Sequence, residues 1–173
     1  MANLSYTSGE QVEVYSFRWP VAICVPVLAI LLQAFIPVHL YYARVFDLPL
    51  LVTIFFAISR RSPVSGLLTG AAIGLAQDCL MQYPLGLCGM AKTVVGYMAS
   101  SLGVRIDVEN RGTRFLITLI FFAVHQLIYL SIAHGMAGVP LIFNPLQQAG
   151  MGIANAMSAV FLFAVLDRFK QKI

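Results

Sequence analysis

An acid and a base stand inside one of the least polar regions of this sequence, the stretch GLAQDCLMQYPLGLCGMAK, which begins at Gly74. Ionisable side chains in a membrane-type segment are costly, so they mark either a transport or proton pathway or a structural contact. We expect Asp78 and Lys92 to form an ion pair or a water-bridged equivalent, and we favour a structural role over transport. The alternative is that Asp78 meets water at the membrane interface while Lys92 reaches that interface separately.

Two further polar side chains, His125 and Asn155, fall near the middle of later apolar runs. Their simplest role is an interhelical hydrogen bond, which is worth about 0.6–2 kcal/mol in a membrane. A proton relay would need carboxylates in these runs, and the sequence has no Asp or Glu between residues 115 and 166. It also has no GxSxG, HExxH or Walker motif, so we expect no catalytic activity, no metal and no cofactor.

The composition predicts the solvent in which these residues lie. Hydrophobic residues make up 60% of the 173 residues and charged residues 10%, whereas soluble domains have roughly 45–50% and about 25%. The chain is therefore predicted to be an integral membrane protein. Its net charge of +4 does not indicate a nucleic-acid partner, because the basic residues flank apolar runs, as orientation signals do in a lipid bilayer.

The apolar runs predict an all-α, polytopic protein with six transmembrane helices. These runs are Trp19–Val38, Leu48–Ser59, Ser62–Gln77, Leu85–Val104, Phe115–Ala133 and Leu146–Leu166. The second is short, because a helix needs about 20 residues to cross a bilayer, so it can cross only where the bilayer is thinned or where neighbouring helices shield its ends. The predicted organisation is an N-terminal tail (1–18), a membrane domain (19–166) and a basic C-terminal tail (167–173).

The basic residues predict which side of the membrane the chain ends occupy. With six spans, one side receives Arg18, Arg60, Arg61, Arg105, Arg111, Arg114, Arg168, Lys170 and Lys172. The other side receives Arg44, while Lys92 lies within the membrane. Because positive charge is retained on the cytoplasmic side, we expect both termini and the 105–114 loop to be cytoplasmic.

Small residues repeat along the third and fourth runs. Gly66, Gly70 and Gly74 are four residues apart and share a stripe with Asp78. Lys92 shares a second small-residue stripe with Gly96 and Ser100. Small residues let helix backbones approach closely in lipid. The two helices are therefore expected to pack stripe to stripe.

Two groups of residues are candidates for contact with a partner protein. The first is the small-residue face of the sixth run, Gly150–Ala159, which includes Asn155 and which we expect to be exposed to lipid and to suit a partner helix. The second is a set of aromatic residues in the outer loops, a residue type that is enriched at interfaces: Tyr41, Tyr42, Tyr83 and Phe143.

The segment from Asp47 to Gly103 resembles the rod-shape-determining protein MreD family. The resemblance lies in the order of its features: an opening D-L-P, a basic pair, a glycine-stepped helix that ends in Asp, a P-L-G turn and a helix with G-Y. These are Asp47-Leu48-Pro49, Arg60-Arg61, Gly66/Gly70/Gly74/Asp78, Pro84-Leu85-Gly86 and Gly96-Tyr97.

That resemblance implies a non-enzymatic scaffold of the bacterial cell-wall elongation machinery in the cytoplasmic membrane. Proteins of this family bind MreC, and through it they connect to MreB, the RodA glycosyltransferase and a penicillin-binding transpeptidase. The family is also similar in fold to the substrate-binding S-components of energy-coupling-factor vitamin transporters. That similarity implies an alternative function, the capture of a small solute in an outward pocket.

Overall fold

The computed structural model of the chain describes residues 15–39, 44–82, 84–103, 110–135, 138, 144–169 and 171–172. The described residues form a bundle of six α-helices, as the apolar runs predict. The helices are α1 (Trp19–His39), α2 (Leu48–Arg60), α3 (Pro63–Met81), α4 (Leu87–Gly103), α5 (Arg111–Gly135) and α6 (Pro145–Leu166). Two-residue strands, β1 (Tyr15–Ser16) and β2 (Gln171–Lys172), flank the bundle in sequence.

Four of the six helices, α1, α3, α5 and α6, are long and apolar enough to cross a membrane. The α2 helix has 13 residues and α4 has 17, so both are shorter than the roughly 20 residues of an ordinary span. Large apolar side chains on the outside of the bundle, such as Trp19, Phe35 and Phe161, are exposed. This surface is suited to lipid, and the chain is a membrane protein.

The short α2 helix is the centre of the bundle. Every residue from Pro49 to Ser59 is buried, and α2 packs against each of the other five helices. Because neighbouring helices enclose α2, its ends need not reach the membrane surfaces, which explains how a helix of this length is accommodated. Its two ends are fixed by an Asp47 N-cap and by Arg61, whose φ of 50° ends the helix in the left-handed conformation.

The α3 and α4 helices lie in the most extensive helix–helix contact of the structure. A Cβ atom added to Gly70 would collide with the backbone carbonyl of Lys92, and one added to Gly74 would collide with that of Cys88. Gly66, further from the connecting turn, faces Gly96 and Ser100. The two helices are therefore antiparallel, with their backbones in direct contact along the glycine stripe.

The end of the bundle at which α1 begins and α6 finishes is joined by contacts between the chain ends. β1 pairs with β2 in antiparallel orientation, with Tyr15 opposite Lys172. Nearby, Arg114 Nη1 at the start of α5 lies 2.6 Å from Asp167 Oδ2, just after α6. The opposite end, where α2 begins, contains the buried residues Asp78, Lys92, His125 and Asn155.

Candidate functional site

The site begins with Asp47, the residue that starts α2. Its Oδ1 accepts a hydrogen bond from the backbone N–H of Leu50 at 3.0 Å, which satisfies one of the free N–H groups at a helix N-terminus. Pro49 occupies the first turn of the helix, where its missing N–H costs nothing. The D-L-P sequence is thus a helix start that leaves the second carboxylate oxygen free for another partner.

That partner is Lys92 of α4. Its Nζ lies 2.9 Å from Asp47 Oδ2 and 3.4 Å from His125 Nε2 of α5. Lys92 is completely buried, whereas 18% of the Asp47 side chain is exposed. An unpaired ammonium group at this depth would be very costly, so the carboxylate and the imidazole nitrogen compensate its charge and join α2, α4 and α5.

Two amide side chains hold the backbone around Asp47. Asn155 of α6 accepts from the Asp47 N–H at 2.8 Å and donates to the Val45 carbonyl at 2.8 Å. Gln33 of α1 donates to the Phe46 carbonyl at 2.7 Å and accepts from the N–H of Leu48, the first residue of α2, at 3.0 Å. We call the five residues that meet here the α2-start cluster: Gln33, Asp47, Lys92, His125 and Asn155.

The expected Asp78–Lys92 ion pair is not formed, because Asp78 has other partners. Its carboxylate accepts from the backbone N–H groups of Gly86 at 3.0 Å, Cys88 at 3.0 Å and Gly89 at 3.1 Å. Three N–H donors at the start of α4 compensate a buried negative charge without a cation. Asp78 therefore connects the end of α3 to the α3–α4 turn and the start of α4.

Residues 15–173 match the model of one protein family, described as rod shape-determining protein MreD. The chain belongs to the MreD family. Membership implies a role in rod shape determination and agrees with the membrane character of the helices.

Neither the curated proteins nor the solved structures contain a significant match. The likeness to transporter S-components therefore stays an expectation. Among the described residues of this MreD-family chain, no group of three or more His, Cys, Asp and Glu side chains could hold a metal ion.

The α6 residues that were expected to face lipid are used inside the molecule. Gly152, Asn155, Ala156 and Ala159 are buried, and Gly152 packs against Leu119 and Phe122 of α5. Gly150, in contrast, is exposed and has open space around it. The small face of α6 therefore packs against neighbouring helices, and Asn155 is not available to a partner protein.

The aromatic candidates in the outer loops lie outside the described residues. These are Tyr41, Tyr42, Tyr83 and Phe143. They stay predictions for a partner interface.

A cavity of about 180 Å³ adjoins the α2-start cluster. Its walls include Asp47 and His125 from the cluster and Gln77 of α3. Sequence reasoning recognised Asp47 as the opening of a motif but missed it as a site residue, and it missed Gln33 and Gln77 entirely. For Asp47, the available signal was an acidic N-cap before proline at the same membrane end as Lys92.

Proposed function

We propose that this chain is a non-enzymatic scaffold of the bacterial rod-shape machinery that binds MreC directly. Through MreC it would connect to MreB, RodA and a penicillin-binding transpeptidase. The observation that supports this proposal is the match to the MreD family over residues 15–173. The polar side chains at the α2-start cluster contact one another and the backbone, which is the arrangement of a structural core rather than of a reacting centre.

The proposed contact surface is a groove of about 400 Å³ between α5 and α6. Exposed Ala123 and Leu127 of α5 line one wall, and exposed Ala149 of α6 lines the other. The two alanines let a third helix approach between larger side chains such as Leu119 and Leu130, and close packing is the main source of helix association in lipid. The groove therefore suits the single transmembrane helix of MreC, and it replaces the α6 stripe as our candidate surface.

We also propose that the protein crosses the bacterial cytoplasmic membrane several times, with both termini in the cytoplasm. Pairing between β1 and β2 supports a common side for the two termini, because it brings the two chain ends together. The positions of the arginines support it as well, since Arg18, Arg60 and Arg168 lie at that same end of the helices.

The test is affinity purification of a tagged chain from native membranes. Ala123→Phe fills the groove, and it should reduce the amount of co-purified MreC by roughly 10-fold, since a lost helix contact of about 1.4 kcal/mol has that effect. Ala72→Phe is the matched control, because Ala72 is an exposed alanine on α3. Its yield of MreC should equal that of the unmodified chain.

Two outcomes would contradict the proposal. Equal loss of MreC from both variants would mean that the α5–α6 groove is not the contact surface. A native protein that purifies without MreC but binds a vitamin at nanomolar concentration would instead indicate the transporter S-component alternative.

A further inference from the structure

Positive charge is concentrated at the end of the bundle where α2 finishes and α3 begins. The arginines whose side chains are described at this end are Arg18, Arg60, Arg61, Arg111, Arg114 and Arg168. Among the described residues there, the one acidic side chain is Asp167, and it pairs with Arg114. This end therefore has an excess of positive charge, which attracts an anionic partner.

Two of these arginines lie in the tight connection between α2 and α3. Arg60 is the last residue of α2, and only Arg61 and Ser62 separate it from α3. The Arg60 guanidinium carbon lies 5.8 Å from the centre of the Phe56 ring, and Nη1 donates to Ser65 Oγ at 3.2 Å. A residue that only orients the chain in the membrane needs charge but no fixed position. These contacts hold the half-buried guanidinium at the first turn of α3, as a binding site requires.

Arg61 has a backbone conformation that favours glycine. Its φ of 50° and ψ of 22° are left-handed. Helices commonly end in this conformation with a glycine, because a side chain there costs roughly 1–2 kcal/mol. Folding alone would favour glycine at this position, so a role for the side chain accounts for the arginine.

An apolar stripe on α3 begins beside these two arginines. Val64, Leu68 and Leu75 are 68%, 61% and 47% exposed, and their spacing places them on one face of the helix. Because Arg60 contacts Ser65, its guanidinium lies next to the first turn of this stripe. The stripe extends about 16 Å along the helix, which matches the roughly 15 Å of hydrocarbon in one membrane leaflet. A site for a charged group and a surface of acyl-chain length therefore adjoin each other.

We propose that the connection formed by Arg60 and Arg61 binds the headgroup phosphate of an anionic phospholipid, with one acyl chain along Val64 and Leu68. Arginine suits this ligand, because its planar group can donate two parallel hydrogen bonds to phosphate oxygens. The bound lipid joins the end of α2 to the start of α3. This site is separate from the α5–α6 groove and independent of the proposed scaffold function, so its test requires no partner protein.

The experiment measures thermal unfolding of the purified chain in a neutral detergent with added dioleoyl phosphatidylglycerol. The unfolding temperature should rise saturably, by about 3–6 °C at ten times the dissociation constant. Dioleoyl phosphatidylcholine has the same acyl chains but no net charge, and inorganic phosphate has the charge but no acyl chain. Both should leave the unfolding temperature unchanged. Native mass spectrometry of the same samples gives the affinity for each lipid.

Arg61→Gly removes one charge and gives the left-handed position the residue that it favours. Without lipid, this variant should unfold at the same or a higher temperature than the unmodified chain. Its affinity for phosphatidylglycerol should nevertheless fall by roughly 5-fold, because one basic residue near a membrane surface contributes about 1 kcal/mol. Arg60→Gln provides a second comparison if the glycine variant does not fold.

Two control variants separate the site from backbone strain and from general charge. Gln82→Gly relieves the same left-handed conformation, with φ of 55°, at the other end of α3. Arg168→Gln removes an exposed arginine from the same end of the bundle. Both variants should keep the affinity of the unmodified chain for phosphatidylglycerol.

Three results would overturn the proposal. The first is an equal response to phosphatidylglycerol and phosphatidylcholine, or no response to either, which would exclude a site selective for anionic lipid. The second is unchanged affinity in the folded Arg61→Gly or Arg60→Gln variant. The third is an equal loss of affinity in Arg61→Gly and Arg168→Gln, which would mean that lipid is attracted by the total charge and not by this connection.

Discussion

At the residue scale, the buried charges fix the position of one backbone segment. Asp47 caps α2 with one carboxylate oxygen and pairs with Lys92 through the other. Its own N–H is bonded to Asn155. A buried ion pair contributes little net stability after desolvation, yet losing one partner is costly. We therefore infer that the pair specifies where α2 begins relative to α4 and α6.

A double-mutant cycle tests this pairing directly. Asp47→Asn and Lys92→Met should each destabilise the chain, and the double variant should lose less than the sum of the two. The expected coupling energy is about 1–3 kcal/mol, because contacting charged residues are not independent. The free energy of unfolding of each variant is measured in detergent by denaturant titration.

The matched control is a second cycle in which Asp78, rather than Asp47, is mutated together with Lys92. Asp78→Asn should destabilise the chain by weakening the acceptors for Gly86, Cys88 and Gly89. Combined with Lys92→Met, however, its effect should add within about 0.5 kcal/mol. A larger coupling for Asp78 than for Asp47 would show that the ion pair has been assigned to the wrong acid.

The difference between the expected and observed partner of Lys92 has a physical cause. Spacing along a helix indicates which residues share a face, and it placed Asp78 and Lys92 on facing stripes. It does not indicate whether backbone N–H groups at a nearby helix start already satisfy the acid. The true partner is 45 residues away in sequence, at the start of α2, a helix that has no glycine stripe.

At the element scale, glycine and burial determine the arrangement around α2. The α3 glycines bring α3 against the α4 backbone, which places Lys92 next to the start of α2. Because α2 is buried from Pro49 to Ser59, it has no need to span the bilayer alone. Longer helices surround α2, so α2 can be shorter than an ordinary transmembrane helix.

Substitution of single glycines tests the close approach of α3 to α4. Gly70→Ala should lower the free energy of unfolding by about 1–3 kcal/mol, because the new methyl group overpacks the contact with Lys92. Gly150→Ala is the matched control: its position in α6 is open, and alanine favours a helix by roughly 0.5–1 kcal/mol. Similar thermal unfolding of both variants would exclude a packing role specific to Gly70.

The sequence predicts the helices well and their lateral order poorly. Charge-free runs predicted the second helix as Leu48–Ser59, and α2 spans Leu48–Arg60, because a Pro-containing start and an arginine pair delimit it. The small face of α6 was expected to meet lipid, but Ala156 and Ala159 are buried. Helical periodicity identifies a face without indicating whether the chain itself or another protein covers it.

At the scale of the whole molecule, two features make the ends of the bundle different. One end has the paired strands β1 and β2 and the Arg114–Asp167 ion pair. The other end has the α2-start cluster and the adjoining cavity. If the first end is cytoplasmic, the cavity lies toward the outer side of the membrane.

This orientation predicts which positions react with a membrane-impermeant maleimide. In a variant without the native Cys24, Cys79 and Cys88, Gly138→Cys, between α5 and α6, should be labelled in intact spheroplasts. Lys172→Cys, in β2, should be labelled only after the membrane is permeabilised, because positive charge holds this end in the cytoplasm. The cysteine-free variant shows the background. Labelling of Lys172→Cys alone from outside would reverse the orientation and place the cavity on the cytoplasmic side. Labelling of both positions from outside would mean that α6 does not cross the membrane, which would contradict six crossings.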